Sequence, residues 1–322
     1  MLKIFRNNIF LQVVIILAML VALWLPALLT PHSASLTGGG YLFVLWAGRL
    51  TPFAATITAL VLVLAEGYLL NMVLYHHKLI NQGTLMPMMF YVMAMSLGPQ
   101  QLAFTPLLAG SLFLIGTVDC MLLTDSTLLS VSLTKLFSAA ACLGLATLCC
   151  PFMAVFLLPL IANIINFSQY GWRNWMMVIL GLLAPYIVLE TYFYMVDESF
   201  YRNYLLLYDL TDLHLAFNGS LYDWGGSLLF TLLLFIGLAT LIVNSQSKVV
   251  NYKKNITSVS LFLIGSVACM GYTNMSPMPT QAFAVPFSCC ATALFYEKKR
   301  LEWLWNLLLL AVFVLFVLWN LL

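Results

Sequence analysis

The chain has 322 residues, of which 63% are hydrophobic and 7% are charged, and its formal net charge at pH 7 is +2. Soluble domains contain about 25% charged residues, so this composition excludes a soluble globular protein. It indicates an integral membrane protein, whose partners include membrane lipids. The small net charge, spread over several loops, argues against nucleic acid as a partner and against a polybasic lipid-binding patch.

Apolar segments separated by short connections are predicted to be membrane-spanning helices. One crossing needs ~20 apolar residues, so the chain has room for about eleven spans, within a range of about nine to twelve, and for no separate soluble domain. We therefore predict an all-α, polytopic transmembrane helical bundle that forms a single integral membrane domain over residues 1–322. The predicted spans are 9–29, 52–75, 83–97, 102–123, 134–149, 151–168, 175–195, 225–243, 257–272, 279–295 and 303–321.

Lysine and arginine residues are distributed unequally between the two sides of these spans. With the N-terminus in the cytoplasm, eleven of the 13 fall on the cytoplasmic side, and only Arg49 and Arg202 lie outside. This is the positive-inside pattern, which predicts a cytoplasmic N-terminus. The first span follows Lys3 and Arg6 as a signal peptide would, but its apolar run exceeds the roughly 7–15 residues of a signal sequence, so we expect it to be retained.

Three spans in the middle of the chain are too short to cross ~30 Å of hydrocarbon comfortably, and these are 83–97, 134–149 and 151–168. They are either crossings or re-entrant hairpins, and both alternatives give the same sidedness to the rest of the chain. Merging 134–168 into one crossing would move several basic residues outside, so charge asymmetry argues against it. Ala140 and Gly144 have the small-xxx-small spacing that predicts close helix packing.

Three carboxylic acids fall inside predicted spans, at Glu66, Asp119 and Glu190. An ionised acid at the centre of a membrane costs about 2.5–3.5 kcal/mol on insertion scales, so each one needs compensation. Asp119 and Glu190 lie near span ends and can reach the headgroup zone. Glu66 lies deeper, with no basic residue at its depth, which implies a protonated, hydrogen-bonded acid or a watery cavity. We consider Glu66 a candidate functional residue; a structural hydrogen bond to a neighbouring helix is the alternative.

The longest outer segment, 196–224, is the second candidate region. Its aromatic residues recur at helical spacing, which predicts that it lies along the outer membrane interface. Asp209, Asp212 and His214 form a possible hard-cation or acid/base group, and a solvated loop face is the alternative. With Glu66, the candidate catalytic residues are Asp197, Asp209 and Asp212. The candidate substrate-binding residues are Glu66, Arg49, Glu190, Arg202, His214 and Asp223.

No metal or cofactor is predicted from the sequence. The seven cysteines lie in or at the ends of predicted helices without a C-x-x-C pattern, which indicates buried apolar cysteine. The adjacent His76 and His77 lie at a cytoplasmic helix end, where we expect an interfacial role rather than metal binding.

Four segments of the chain have recognisable sequences, namely LKIFRNN at residues 2–8, the segment 85–99, WRNW at 172–175 and GLLAPY at 181–186. Together they resemble an uncharacterised family of multi-pass inner-membrane proteins from Bacteroidota. The resemblance covers most of the chain and implies a location in a bacterial inner membrane. It implies no activity.

The order of elements also resembles the membrane half of lipid-linked-sugar glycosyltransferases of the GT-C type. The shared features are a first span followed by an outer loop, short paired helices broken between Gly144 and Pro151, and a long outer loop after the seventh span. Those enzymes use an acid in the first outer loop as catalytic base or metal ligand, but residues 30–51 contain neither Asp nor Glu. His32 is the residue there that could replace a base. The resemblance implies a lipid-linked ligand, with or without transfer of a sugar.

Three functions are compatible with these features. The first, which we predict, is binding of a polyprenyl-linked or other amphipathic envelope precursor at the outer leaflet, by Glu66 and the 197–223 segment. A transporter or flippase is the second, although no internal repeat and no mid-span basic residue supports it. The third is a non-catalytic membrane subunit or assembly factor that binds a protein partner through the outer segment.

Overall fold

The computed structural model describes residues 5, 8–35, 38–80, 84–97, 102–122, 132–167, 171–196, 221–245, 250–270, 280–297 and 302–321. These residues form twelve α-helices and one 3₁₀ segment, and none of them is in a β-strand. The helices are α1 (Ile9–Leu29), α2 (Tyr41–Ala47), α3 (Pro52–His76), α4 (Met86–Met95), α5 (Pro106–Met121), α6 (Leu133–Cys149), α7 (Leu157–Asn166), α8 (Trp172–Met195), α9 (Leu221–Ser245), α10 (Val250–Met270), α11 (Thr280–Glu297) and α12 (Glu302–Leu321), with the 3₁₀ segment at Pro151–Phe156.

The all-α prediction is confirmed, and each of the eleven predicted segments contains a helix. Two features differ from the sequence expectation. The first outer loop contains the short helix α2, and the predicted outer segment 196–224 ends inside α9, which begins at Leu221. The predicted break after the fifth segment is present, because Cys150 is extended between α6 and the 3₁₀ segment.

Three helices, α1, α3 and α8, are long and apolar enough to cross a membrane. They support the prediction of a membrane protein. The helices in the middle of the chain, α4 to α7, have 10–17 residues. At 1.5 Å per residue, even the longest of these falls a few ångströms short of ~30 Å of hydrocarbon, so their length alone does not establish a crossing.

Local sequence signals account for where several helices begin. The hydroxyl groups of Thr51, Thr105 and Ser132 each accept a hydrogen bond from a backbone amide in the first turn of α3, α5 and α6. Such capping satisfies an otherwise unpaired amide and typically contributes ~1 kcal/mol. Pro52 and Pro106 occupy the first helical positions, where proline removes no helical hydrogen bond.

The end of α3 is fixed by a tight reversal of the backbone. The amide of Lys78 donates to the Tyr75 carbonyl (3.0 Å), and that of Leu79 donates to the Leu74 carbonyl (3.0 Å). This pair of bonds defines a Schellman cap, whose residue after the cap is normally glycine because it takes the left-handed conformation. Here that residue is Lys78, with φ of 55°.

Lys78→Gly is therefore expected to stabilise the protein by about 0.5–1 kcal/mol. Glycine relieves the left-handed strain of about 1–2 kcal/mol, and its greater freedom in the unfolded chain offsets part of the gain. Thermal unfolding in detergent measures the change. Lys78→Ala is the control, because it removes the same charge and retains the strain. Equal unfolding temperatures for the two variants would contradict the interpretation.

The buried centre of the bundle consists of α4 and α11. Nine of the ten residues of α4 are buried, and this helix packs against α1, α3 and α11. Its methionine-rich sequence suits this position, because unbranched methionine side chains fill irregular gaps between helices. In turn, α11 also contacts α5, α9 and α10.

Helices α6 and α8 approach closely through small residues. A Cβ atom added to Gly144 would lie 2.8 Å from the Leu182 carbonyl oxygen, and one added to Gly181 would lie 2.5 Å from the Phe137 carbonyl oxygen. The Cβ of Ala140 also faces Gly181. The predicted close packing at Ala140 and Gly144 is thus confirmed, and its partner is α8.

Polar contacts between distant segments join residues that the sequence places on the same side of the membrane. On the predicted outer side they are Trp24–Ser96, Asn320–Ser96, Ser35–Phe104, Gly40–Cys149 and Thr105–Gln281. On the predicted cytoplasmic side they are Gln12–Leu85, His77–Asp119 and Asn166–Lys254.

Candidate functional site

Glu66 is completely buried, at 0% exposure. It belongs to a stripe of inward-facing residues on α3 that recurs every three or four positions, at Ala59, Val63, Glu66 and Leu70. The spacing turns one face of the helix toward the bundle, and Glu66 lies in the middle of that face. The acid therefore points into the protein interior rather than toward lipid.

Two hydroxyl groups from neighbouring helices hold one oxygen of the Glu66 carboxyl group. The Tyr91 hydroxyl on α4 donates to Oε2 at 2.8 Å, and the Ser111 hydroxyl on α5 lies 3.0 Å from the same atom. The Ser111 hydroxyl is also 2.7 Å from the carbonyl oxygen of Leu108. This Glu66 cluster links three helices through buried hydrogen bonds, and both of its partners are themselves buried.

The other carboxyl oxygen, Oε1, has no partner with hydrogen-bonding geometry among the described residues. Nor does any lysine, arginine or histidine in the described ranges form an ion pair with Glu66. Buried polar atoms are nearly always satisfied, so an unpartnered carboxyl oxygen is a position where a water, a proton or a ligand donor would be stabilised. The cluster is polar and fully buried, and Oε1 of Glu66 is an acceptor that none of the described residues uses.

Gly67 explains how α4 comes close enough for Tyr91 to reach the acid. A Cβ on Gly67 would lie 3.2 Å from the Met88 side chain and 3.4 Å from the Tyr91 ring. The absence of a side chain thus leaves room for α4 beside α3. The Glu66-Gly67 pair is the local sequence feature that brings Tyr91 into the cluster.

A second region lies at the predicted outer side, where α2, α6 and α8 meet. The Tyr41 and Phe193 rings are in edge-to-face contact, with centroids 4.7 Å apart. The hydroxyl groups of Thr147 and Tyr186 are 2.7 Å apart and join α6 to α8. Buried Leu148 packs in the same cluster, so α2 is attached to the outer end of α8.

The glycine run before α2 anchors this region to the end of α6. The Gly40 amide donates to the Cys149 carbonyl at 2.8 Å. A Cβ at Gly40 would overlap the Leu148 carbonyl oxygen, so only glycine fits there. Gly38 takes a positive φ of 70° beside the Phe152 ring. The residues just before α2, in the predicted first outer loop, are therefore docked on the end of α6, and this contact holds α2 in place.

Arg49 and Glu190 are both exposed on these elements, Arg49 shortly after α2 and Glu190 in the last turns of α8. Exposed aromatic side chains lie close to each of them in the chain, Trp46 before Arg49 and Tyr192 and Tyr194 after Glu190. We call this set of five residues the outer aromatic surface. Opposite charges beside amphipathic rings are typical of the membrane–water boundary. The structure places Glu66 on α3, between α4 and α5, Arg49 in the turn after α2 and Glu190 on α8.

The remaining sequence candidates lie beyond what the structure describes. They are Asp197, Arg202, Asp209, Asp212 and His214, together with the side chain of Asp223 on α9. Their predicted roles remain predictions. Because α8 ends at Met195, the outer segment begins directly next to the outer aromatic surface.

Sequence reasoning missed two residues and one pairing. Tyr91 and Ser111 were not singled out, because their partner Glu66 is 25 and 45 positions away in the chain. Asp119 was interpreted alone at a helix end, whereas the structure places its Oδ1 atom 3.0 Å from Nε2 of His77. Comparisons with protein-family models, with curated proteins and with solved structures found no match for this chain. Functional inference therefore rests on the chemistry of these residues.

Proposed function

We propose that the chain is a multi-pass protein of a bacterial inner membrane that binds a lipid-linked or other amphipathic envelope precursor at the outer leaflet. The N-terminus lies in the cytoplasm and about eleven segments cross the membrane. The polar contacts between distant segments support this topology, because every one of them joins residues assigned to the same side. Merging 134–168 into one crossing would separate Thr105 from Gln281 and Ser96 from Asn320, whereas re-entrant hairpins at the short segments would keep every pair together.

The outer aromatic surface is the observation that supports ligand binding best. The arginine side chain offers a planar fork of donors that matches a phosphate group, and Arg49 is exposed there. Glu190 accepts hydrogen bonds of the kind that sugar hydroxyl groups donate. Below them, α8 exposes a continuous apolar face with Leu180, Leu183 and Ile187, which suits a hydrocarbon chain.

We assign no transfer reaction to this surface. The GT-C-like order of elements supports a shared scaffold, including the broken helix at Cys150 and the docked outer loop. That loop lacks an acid, and His32 is exposed in it. In this proposal the protein holds or presents the precursor, and chemistry on it belongs to another protein.

Arg49→Gln is expected to weaken binding of a polyprenyl phosphate by about ten-fold, because it removes the charge that pairs with phosphate. Native mass spectrometry of the full-length protein in detergent, with added polyprenyl phosphate, measures the bound fraction. Arg173→Gln is the matched control, since Arg173 is exposed at the opposite end of α8. Phosphatidylglycerol and inorganic phosphate as competitors distinguish a lipid-linked ligand from a phospholipid headgroup and from free phosphate.

Equal binding by the Arg49→Gln and Arg173→Gln variants would contradict the proposal. The non-catalytic membrane subunit is the second candidate, because the Glu66 cluster cross-links three helices as a purely structural element would. Co-purification of one stoichiometric membrane protein, with no retained amphipathic molecule, would favour that alternative. A transporter or flippase would instead move the labelled precursor between leaflets of a reconstituted vesicle.

A further inference from the structure

The ends of α3 and α5 bring together three side chains that ligate metal ions in proteins. His76 and His77 have ring centroids 5.1 Å apart at an interplanar angle of 82°. The Nε2 atom of His77 is 3.0 Å from Oδ1 of Asp119. One nitrogen or oxygen from each of the three residues lies within 4.8 Å of the others. Two imidazoles and a carboxylate thus face a common point.

Two features of the backbone produce this arrangement. The Schellman cap at Lys78 stops α3 at the histidines and so places both residues at the helix end. Packing of α3 against α5 then brings Asp119 in from a position 42 residues away in the chain. The adjacent histidines have no ligand spacing of their own, which is why the sequence predicted an interfacial role for them.

The donor set matches that of Zn²⁺ sites with three protein ligands and one open position. Metal–ligand bonds of ~2.0–2.1 Å in a tetrahedral site place the ligand atoms about 3.3–3.5 Å apart. The His77–Asp119 pair would therefore separate by a few tenths of an ångström, and His76 would move closer. Side-chain rotation is sufficient for both changes, because His76 is exposed and the Asp119 side chain is 47% exposed.

The surroundings of the group determine its affinity. His77 is almost fully buried at 3% exposure, so one ligand is held rigidly while the other two remain accessible to an entering ion. Lys135 lies close enough to Asp119 to interact with it electrostatically, and its positive charge opposes a bound cation. The thiols of Cys120 and Cys142 also lie near Asp119. They are the alternative ligands that an experiment must distinguish.

We propose that His76, His77 and Asp119 bind a divalent transition-metal ion of the Zn²⁺ class, which clamps the end of α3 to the end of α5. The same two helices carry Glu66 and Ser111, so the ion also holds the two sides of the Glu66 cluster together. Ligand binding at the outer aromatic surface is not required for this site. An ion that binds only the folded protein raises its unfolding temperature.

The test uses the full-length protein, purified in detergent through an affinity tag without histidines and titrated with Co²⁺. We expect one Co²⁺ per chain with the visible absorption of a four-coordinate ion, and displacement by Zn²⁺. His76→Asn and Asp119→Asn are expected to weaken Co²⁺ binding by at least about ten-fold. Lys135→Gln is expected to tighten it several-fold, because a repelling charge is removed. His32→Asn, an exposed histidine elsewhere, is the control and should bind as the parent does.

Zn²⁺ should also raise the unfolding temperature of the parent protein and leave that of the His76→Asn variant unchanged. Unfolding of each variant without metal establishes that it is folded. The proposal is overturned if no Co²⁺ binds up to millimolar concentration, or if the His76→Asn and Asp119→Asn variants bind as tightly as the parent. It is equally overturned if Cys142→Ser abolishes binding while Asp119→Asn retains it, since the site would then be a thiolate site.

Discussion

Glu66→Ala is expected to destabilise the protein by about 3 kcal/mol, whereas Glu66→Gln is expected to cost about 1 kcal/mol. Alanine removes a fully buried side chain and the acceptor that pairs with Tyr91, so a cavity and an unsatisfied hydroxyl group add together. Glutamine retains the volume, and its side-chain carbonyl oxygen can still accept from the Tyr91 hydroxyl group. Unfolding by sodium dodecyl sulfate in mixed micelles, followed by loss of helical circular dichroism, measures both changes.

Partner substitutions test whether the three side chains act as one unit. Tyr91→Phe and Ser111→Ala each remove one hydroxyl group, and each is expected to cost about 1 kcal/mol. A cycle that combines Tyr91→Phe with Glu66→Gln should give a coupling energy of at least about 0.5 kcal/mol. Additive effects would mean that the 2.8 Å contact between Tyr91 and Glu66 contributes nothing measurable to stability. The cluster would then not be an energetic cross-link between helices.

The same variants distinguish a functional acid from a structural one. In one consistent assignment of protons, a neutral Glu66 donates its carboxyl hydrogen to Ser111, which donates to the Leu108 carbonyl, while Tyr91 donates to Glu66. Neutral glutamine reproduces most of this pattern. If Glu66→Gln is stable but no longer binds the amphipathic ligand, the charge or proton of the acid is used in function. Retained binding would identify Glu66 as a structural residue.

The sequence was sufficient for features that depend on near neighbours. Helix positions followed from apolar run length, and the close packing of α6 followed from Ala140 and Gly144, four residues apart. The need of Glu66 for hydrogen-bond partners was likewise predictable, because it falls inside a predicted span without a basic residue, and Tyr91 and Ser111 are those partners. These predictions rest on the periodicity of apolar residues and on the thickness of the bilayer. Both can be applied to one segment at a time, without knowing which helices pack together.

Features that depend on which helices meet could not be read in the same way. The partners of Glu66 and the pairing of His77 with Asp119 require the packing of α3 against α4 and α5. Helix α2 was missed because seven residues between glycines have too little apolar periodicity, and its position depends on docking to α6. The sequence does not indicate that the hydroxyl groups of Tyr91 and Ser111 are functional, because their role depends on contact with an acid from another helix.

Gly181→Ala is expected to destabilise the protein by about 2 kcal/mol, and Gly181→Val by more, because overpacking at a helix contact forces the backbones apart. The added Cβ would lie 2.5 Å from the Phe137 carbonyl oxygen and 2.8 Å from the Ala140 Cβ, and backbone atoms cannot move aside. Since α8 is attached to the bundle mainly through α6, we also expect faster hydrogen exchange in α8.

Gly116→Ala is the matched control for this substitution. Its added Cβ would meet the Cys142 Sγ atom at 3.2 Å, and that flexible side chain can move by a few tenths of an ångström. Replacing a helical glycine by alanine gains about 1 kcal/mol of helix propensity, so this variant should be at least as stable as the parent. The difference between the two variants isolates backbone contact at Gly181 from general effects of removing glycine. Equal stability of the two would show that α6 and α8 do not pack through Gly181, and would detach the outer aromatic surface from its support on α6.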